Sequence, residues 1–156
     1  MKRVLSIACL LFCVTLTLSL SAQTPQTTPP TAGAPTAGMK ITTEAEFATH
    51  MKEIQQQNGI LNKALKGGMN DEATKAAARL EVLFTNIHGY WSGRKVEDAT
   101  TAAQTAGTSL QQIQKAIAAN DMTAAQTARA TFAGTCKTCH SVHREEIPGG
   151  GGYRMK

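Results

Sequence analysis

VEDATTAAQTAGTSLQQIQKAI, residues 96–117, carries one apolar stripe. Val96, Ala99, Ala103, Ala106, Leu110, Ile113 and Ile117 recur at alternating steps of three and four residues, which is one face of an α-helix. Upstream, Ala73, Ala76/Ala77, Leu80, Phe84 and Ile87 form a second stripe. Phe47, Met51, Ile54, Asn58, Leu61 and Leu65 form a third, interrupted by the single Asn. Downstream, Met122, Ala125, Phe132, Cys136, Cys139 and His140 lie along a fourth. The period-2 alternation of a half-buried strand is missing, so the chain reads as all-α.

Helix signals bound the four stretches. Thr43 with Glu46 three residues on is a capping-box pattern, and Gly67-Gly68 is a stop, giving a first helix over about 43–66. Asn70 as N-cap with Asp71 and Glu72 behind it opens a second helix, expected to end near Ile87. His88 to Gly93 then reads as a turn, and a third helix spans about 94–118. Asn120-Asp121 opens the fourth, and Ile147-Pro148 with the glycines after it closes it. Short connections between amphipathic helices predict antiparallel neighbours, hence an up-down-up-down four-helix bundle.

Residues 1–22 have the form of a secretory signal peptide. Met1-Lys2-Arg3 is followed by an apolar run from Val4 to Leu20 and by small residues at Ser21-Ala22, where cleavage is expected. An uncleaved anchor is the alternative, the run being near the lower length limit of a membrane span. Cys9 and Cys13 come too early in the run for a lipid-modified cysteine. Residues 23–40 are Thr, Pro, Ala, Gly and Gln and read as a flexible linker. Residues 41–147 have the size of one small domain. Residues 148–156 read as a glycine-rich flexible tail. The chain has 16 basic side chains, two of them Lys2 and Arg3, against 11 acidic ones. Without the leader the excess is too mild to argue for nucleic acid.

The chemistry sits in Cys136-Lys137-Thr138-Cys139-His140. Cys-x-x-Cys-His is the pattern of covalent c-type haem attachment. Thiols at i and i+3 share a helix face and can form thioethers with two vinyl groups on one haem edge. The adjoining His140 can ligate the iron from one side. A zinc half-site would need two further ligands, and a thioredoxin-like pair belongs at the start of a helix after a strand. Neither context is present, and export to an extracytoplasmic compartment agrees with one covalently bound haem c.

The bundle order then predicts where that haem lies. The start of helix one, the end of two, the start of three and the end of four share one end, so the haem is expected among Phe47, Met51, Phe84, Ile87, His88, Tyr90, Trp91 and Val96. Aromatics are only 4% of the chain, yet the five in the domain, Phe47, Phe84, Tyr90, Trp91 and Phe132, are in or near this end. They are candidate pocket walls or ordinary core. Met51, on the stripe of helix one, is a candidate sixth ligand or a core filler. His50, about 100° around from it, is expected to face away from the core. His88 is the competing ligand. His143 follows His140 on the same side and is expected in packing or at the haem rim. Arg144 either pairs a haem propionate or is a solvated charge. Lys52, Arg94, Lys137 and Arg144 are either a basic rim that steers an acidic redox partner or a solvated face.

On these residues the chain resembles the class II c-type cytochromes, the cytochrome c-prime family. The resemblance covers about residues 41–147. It rests on Cys136, Cys139, His140 and Arg144, on Met51-Lys52 in helix one, on Lys66-Gly67, and on Trp91 at the start of the third helix. The chain departs from the family in carrying Phe47 where members often have Arg or Gln, and in a short loop between helices two and three. One branch of the family is high-spin and five-coordinate and binds gases such as nitric oxide. The other is low-spin, with a helix-one methionine as sixth ligand, and transfers electrons. Met51-Lys52 is similar to the second branch. The resemblance thus implies a periplasmic mono-haem electron carrier, not an enzyme, with iron between His140 and Met51 and redox proteins as partners. Family members often dimerise through the first two helices, and membrane association follows only if the leader stays uncleaved. The alternatives are a five-coordinate binder of nitric oxide or carbon monoxide, and a structural or assembly role for a tethered bundle.

Overall fold

The structure is a computed structural model that describes residues 36–150 and 152–156. The leader and most of the linker expected from the sequence lie outside the described residues. Four helices make up most of the domain: α1 Glu44–Lys66, α2 Asn70–Gly93, α3 Glu97–Ala118 and α4 Met122–His143. Two short strands follow, β1 Arg144–Glu146 and β2 Tyr153–Met155. No helix among the described residues is long and apolar enough to cross a membrane.

The capping box of α1 forms as its sequence demands. Thr43 Oγ1 accepts from Glu46 N at 3.2 Å, and Glu46 Oε2 accepts from Thr43 N at 3.0 Å. The same oxygen accepts from Thr42 N at 2.7 Å and Thr42 Oγ1 at 2.9 Å. These donors, the Thr42 backbone N–H foremost, hold the Glu46 carboxyl at a pKa of about 2, against an ordinary 4.5. α4 has a single side-chain cap, Asp121 Oδ1 accepting from Ala124 N at 2.9 Å.

α2 runs six residues past its expected end, through His88 to Gly93. The turn falls instead at Arg94 to Val96, with Lys95 at φ +58°. The competition of energies explains this. Gly89 inside a helix costs about 1 kcal/mol. Continuing the helix keeps Tyr90 and Trp91 on the face of Leu83, Phe84 and Ile87, and both rings are buried. Burying each large apolar side chain is worth about 1.5–3 kcal/mol, so the helix continues. α3 accordingly starts three residues later than its pattern suggests. At the other end of α2, Asn70 is the first helical residue, and Met69 holds the N-cap position with no side-chain cap bond.

The core is filled by Leu61, Leu80, Leu83, Leu110, Ile113 and Phe132, with alanines of α2, α3 and α4 between them. α1 packs on α2, α2 on α3 and α3 on α4, whereas α1 and α4 scarcely touch. Polar ties reinforce two of these seams. Arg79 grips Glu53 with two nitrogens, at 2.5 and 2.9 Å. Gln111 and Gln114 donate to the two carboxylate oxygens of Glu81 at 2.6 and 3.0 Å.

The C-terminus differs from its expectation. α4 stops at His143, and residues 148–156 are not simply a tail. Tyr153–Met155 pairs antiparallel with Arg144–Glu146, in the register Arg144↔Met155, Glu145↔Arg154 and Glu146↔Tyr153. Gly149, Gly150 and Gly152 supply the positive φ values of the turn.

Thr43→Ala removes the α1 cap and is expected to lower unfolding free energy by about 1 kcal/mol in urea melts. Because the folded pKa of Glu46 is depressed, its contribution is present above pH 4.5 and is lost as pH falls through about 2. The stability gap between wild type and Glu46→Gln should therefore narrow over that window in an acid denaturation series.

Candidate functional site

α4 continues its buried face through the motif. Ala125, Ala128 and Phe132 are buried; Cys136, Cys139 and His143 follow along the same side at half burial. Cys136 packs against the core, and both thiols are free. Burial pushes both thiols up; the Arg129 guanidinium partly offsets this at Cys136, while at Cys139 the neighbouring Cys136 and Asp98 add to it. His140 is exposed on the flank of this face. Partial shielding of its ring, and then the charge of Arg144, push its pKa down. Arg144 Nη1 lies 3.4 Å from His140 Nδ1 and is its donor.

The aromatic side chains gather in two groups. Phe47 of α1 packs on Tyr90 and Trp91 at the end of α2, with centroids 4.6 and 5.7 Å apart. The ring of His143 lies 5.1 Å from that of Trp91, and its Nε2 is 2.8 Å from Asp98 Oδ2. That hydrogen bond lowers the Asp98 pKa. Trp91 thus meets the start of α1 and the end of α4, and His143 carries the contact on to the first turn of α3. Deeper in the core, Phe84 and Phe132 meet edge to face at 5.4 Å. Burial raises the pKa of Tyr90.

Of the two residues weighed on α1, the structure reverses one. His50 was expected to face outward, yet it is only 1% exposed. Its Nδ1 donates to Glu46 O at 2.8 Å, which leaves Nε2 to accept from Asn86 Nδ2 at 3.3 Å. Asn86 Nδ2 also donates to Thr36 O at 2.8 Å. The chain ahead of α1, with Ile41 buried, adds a second packing surface on the side of α1 that the stripe alone leaves to solvent. Both His50 nitrogens are therefore engaged within the protein. Met51 is partly buried and packs against the core. His88 is half-buried on α2, not in a loop.

The cations divide. Arg94 lies over the Tyr90 ring at 3.5 Å, and Arg144 lies over the Tyr153 ring at 3.3 Å. Lys52 and Lys137 are exposed. Arg129, which the sequence reading passed over, lies beside Cys136 with its Nε buried and unpartnered, as is Trp91 Nε1. Only its position seven residues before Cys136, two helical turns on the same face, could have drawn notice to it. A surface groove between α3 and α4, around Ala116, Ala119, Ala124 and Ala128, lies elsewhere and shares no residue with the motif.

The donor set limits the chemistry. Among the described residues no group of three or more His, Cys, Asp or Glu could hold a metal ion. A zinc ion needs four protein ligands in a closed site. A haem brings four nitrogens of its own and asks of the protein only two thiols at helical spacing and axial ligands. Cys136, Cys139 and His140 fit that demand. No family model, curated protein or solved structure matches this chain.

Replacing His50 with Ala should cost about 2–3 kcal/mol in urea unfolding, from a cavity and the lost hydrogen bonds. Lys52→Ala, two residues on and exposed, should stay within about 0.5 kcal/mol. Equal effects would contradict the buried position of His50.

Proposed function

We propose that this protein is an exported, periplasmic mono-haem c-type cytochrome that carries single electrons, built as an antiparallel up-down-up-down bundle with its haem c at one end. The observation that carries this reading is the pair of half-buried free thiols, Cys136 and Cys139, on the inward face of α4 with His140 beside them. Packing supports the bundle order: Phe47 at the start of α1 meets Tyr90 and Trp91 at the end of α2, and Asp98 at the start of α3 meets His143 at the end of α4. The weak contact between α1 and α4 supports a place for a flat group between them.

In this reading Cys136 and Cys139 would hold the haem by thioethers, and His140 would be an iron ligand, with Nε2 the ring nitrogen that Arg144 does not engage. Met51 would supply the second protein ligand to the iron. His50 is held by two partners of its own, which favours Met51 over its neighbour. Phe47 and Trp91 exclude water from the site, and Phe84 backs the core behind it. Trp91 Nε1 is a buried donor free to serve an acceptor such as a propionate. When bound, the haem supplies a one-electron iron couple. A thioether together with an imidazole would favour a low-spin iron and raise its potential, as electron transfer needs.

The test is to express the chain with its leader in a host that attaches haem c. The mass of the mature protein should rise by one haem, and Cys136→Ala with Cys139→Ala should abolish covalent attachment. The ferric protein should be low-spin with a methionine-to-iron charge-transfer band, and Met51→Ala should turn it high-spin. A chain recovered without haem would overturn the proposal. A high-spin ferric wild type whose ferrous form takes up carbon monoxide freely would replace electron transfer with gas binding.

A further inference from the structure

The residues ahead of α1 fold on themselves before the helix begins. Thr36 O accepts from Met39 N at 3.2 Å, and Gly38 takes the positive φ, +76°, that this turn needs. Ile41 follows and is buried. Residues 38–41 face Thr85, Gly89 and Tyr90 of α2 across a cavity of about 210 Å³, which Asn86 also lines. The turn leaves Thr36 O able to accept once more, and Asn86 Nδ2 donates to it at 2.8 Å. The same nitrogen stands 3.3 Å from His50 Nε2. One amide group therefore joins the leading segment, α2 and the second turn of α1.

That amide has one orientation open to it. Both atoms in front of Nδ2 are acceptors. Thr36 O is a carbonyl, and His50 Nε2 is bare because Nδ1 donates to Glu46 O at 2.8 Å. A flipped Asn86 would set its oxygen against both. The side chain holds this orientation although its own Oδ1 is buried without a partner. An apolar residue of the same size would avoid that loss, so packing alone does not explain an asparagine here.

What the amide holds bears on the next residue. His50 is buried, and Met51 follows about 100° further around the helix, packed against the core. α1 packs along α2 and barely against α4, so few contacts on its other side resist a rotation about its axis. Phe47, packed on Tyr90 and Trp91, secures the first turn. His50 secures the second: a rotation that swung Met51 outward would also draw His50 Nε2 away from Asn86.

We propose that segment 36–41 and Asn86 form a latch that fixes the rotation of α1 through His50 and so keeps Met51 turned to the inside of the bundle. Asn86 is in this respect a positioning residue. The part that concerns Met51 as a ligand rests on the haem reading above.

The latch is tested first without haem, on the full chain. Diethyl pyrocarbonate modifies accessible imidazoles, and mass spectrometry of the peptides reads His50 separately from His88, His140 and His143. Asn86→Leu removes the donor and should speed modification of His50 about tenfold. Gly38→Val changes neither helix. A Cβ at Gly38 meets nothing within 4 Å, so only the strain at positive φ opens the turn. It should raise the His50 rate in the same direction. Lys40→Ala, exposed in the same segment, should leave the rate near wild type. Helix content by circular dichroism should be unchanged in all three. If Asn86→Leu loses helix, Gly38→Val decides the matter. Equal His50 rates in wild type and the folded variants would overturn the latch. On the loaded chain, Asn86→Leu should keep its covalent haem and lose about half of the methionine-to-iron band as the low-spin population falls. A band as strong as in wild type would overturn the hold on Met51. A loaded wild type that lacks the band sinks Met51 ligation, and that part of the proposal with it, while the His50 rates still decide the latch itself.

Discussion

The contact of Trp91 with His143 is the junction on which the site end of this protein depends. Trp91 closes the last turns of α2 and packs on Phe47 of α1 and on the imidazole of α4. The same imidazole reaches Asp98 in the first turn of α3. One ring pair thereby connects all four helices at one end. It also fixes the rotation of α4 about its axis. With His143 turned toward Trp91, Cys139 and Cys136, one and two turns back, are turned inward too. Had His143 faced solvent, the thiols would have faced solvent with it, since residues at steps of three and four share a face.

Packing density falls off unevenly around the bundle. α3 and α4 are built from Ala, Thr, Ser and Gly with few large side chains, which lets them pack closely. The threonines of α4 spend their hydroxyls on its own carbonyls, Thr127 on Thr123, Thr131 on Thr127 and Thr135 on Thr131. They therefore offer little to a neighbouring helix. α1 packs on α2 but barely on α4, and β2 meets α1 just as sparsely. A seam with so few contacts is easier to part than the α2–α3 or α3–α4 seam.

Much of this was legible in the sequence. The stripes of α1 and α3, the capping box at Thr43 and the Asn120-Asp121 opening of α4 are local signals, and local structure obeyed them. The departures arise where a distant segment changed the balance. Gly89 reads as a break until the burial of Tyr90 and Trp91 is counted. His50 reads as outward until the chain around Thr36 and Ile41 covers it. The hairpin is hidden twice, by the brevity of its strands and by a glycine run that serves as well for a turn as for a tail. At the motif, the spacing of Cys136 and Cys139 placed both on one helix face, and α4 presents both at half burial. Arg129 carried no such signal, because a lone arginine on a helix looks the same whether or not its neighbour is a thiol.

A buried donor without a partner costs about 1–3 kcal/mol, a large part of the stability of a small domain. Among the described residues two such donors are Trp91 Nε1, on the ring that meets His143, and Arg129 Nε, beside Cys136; two acceptors, Asn58 Oδ1 and Asn86 Oδ1, are also unpartnered, and burial raises the pKa of both thiols. A region shaped only for packing would replace them at little loss: Phe for Trp91, Leu for Arg129, Ala for the cysteines. Keeping polar atoms against an apolar wall is the usual mark of a place that receives something with both characters. A haem has a broad apolar face, two vinyl edges that consume thiols, and carboxylates that accept hydrogen bonds. Under the proposed function such a group would use the two thiols and the two donors, while the buried acceptors Asn58 Oδ1 and Asn86 Oδ1 correspond to none of its features.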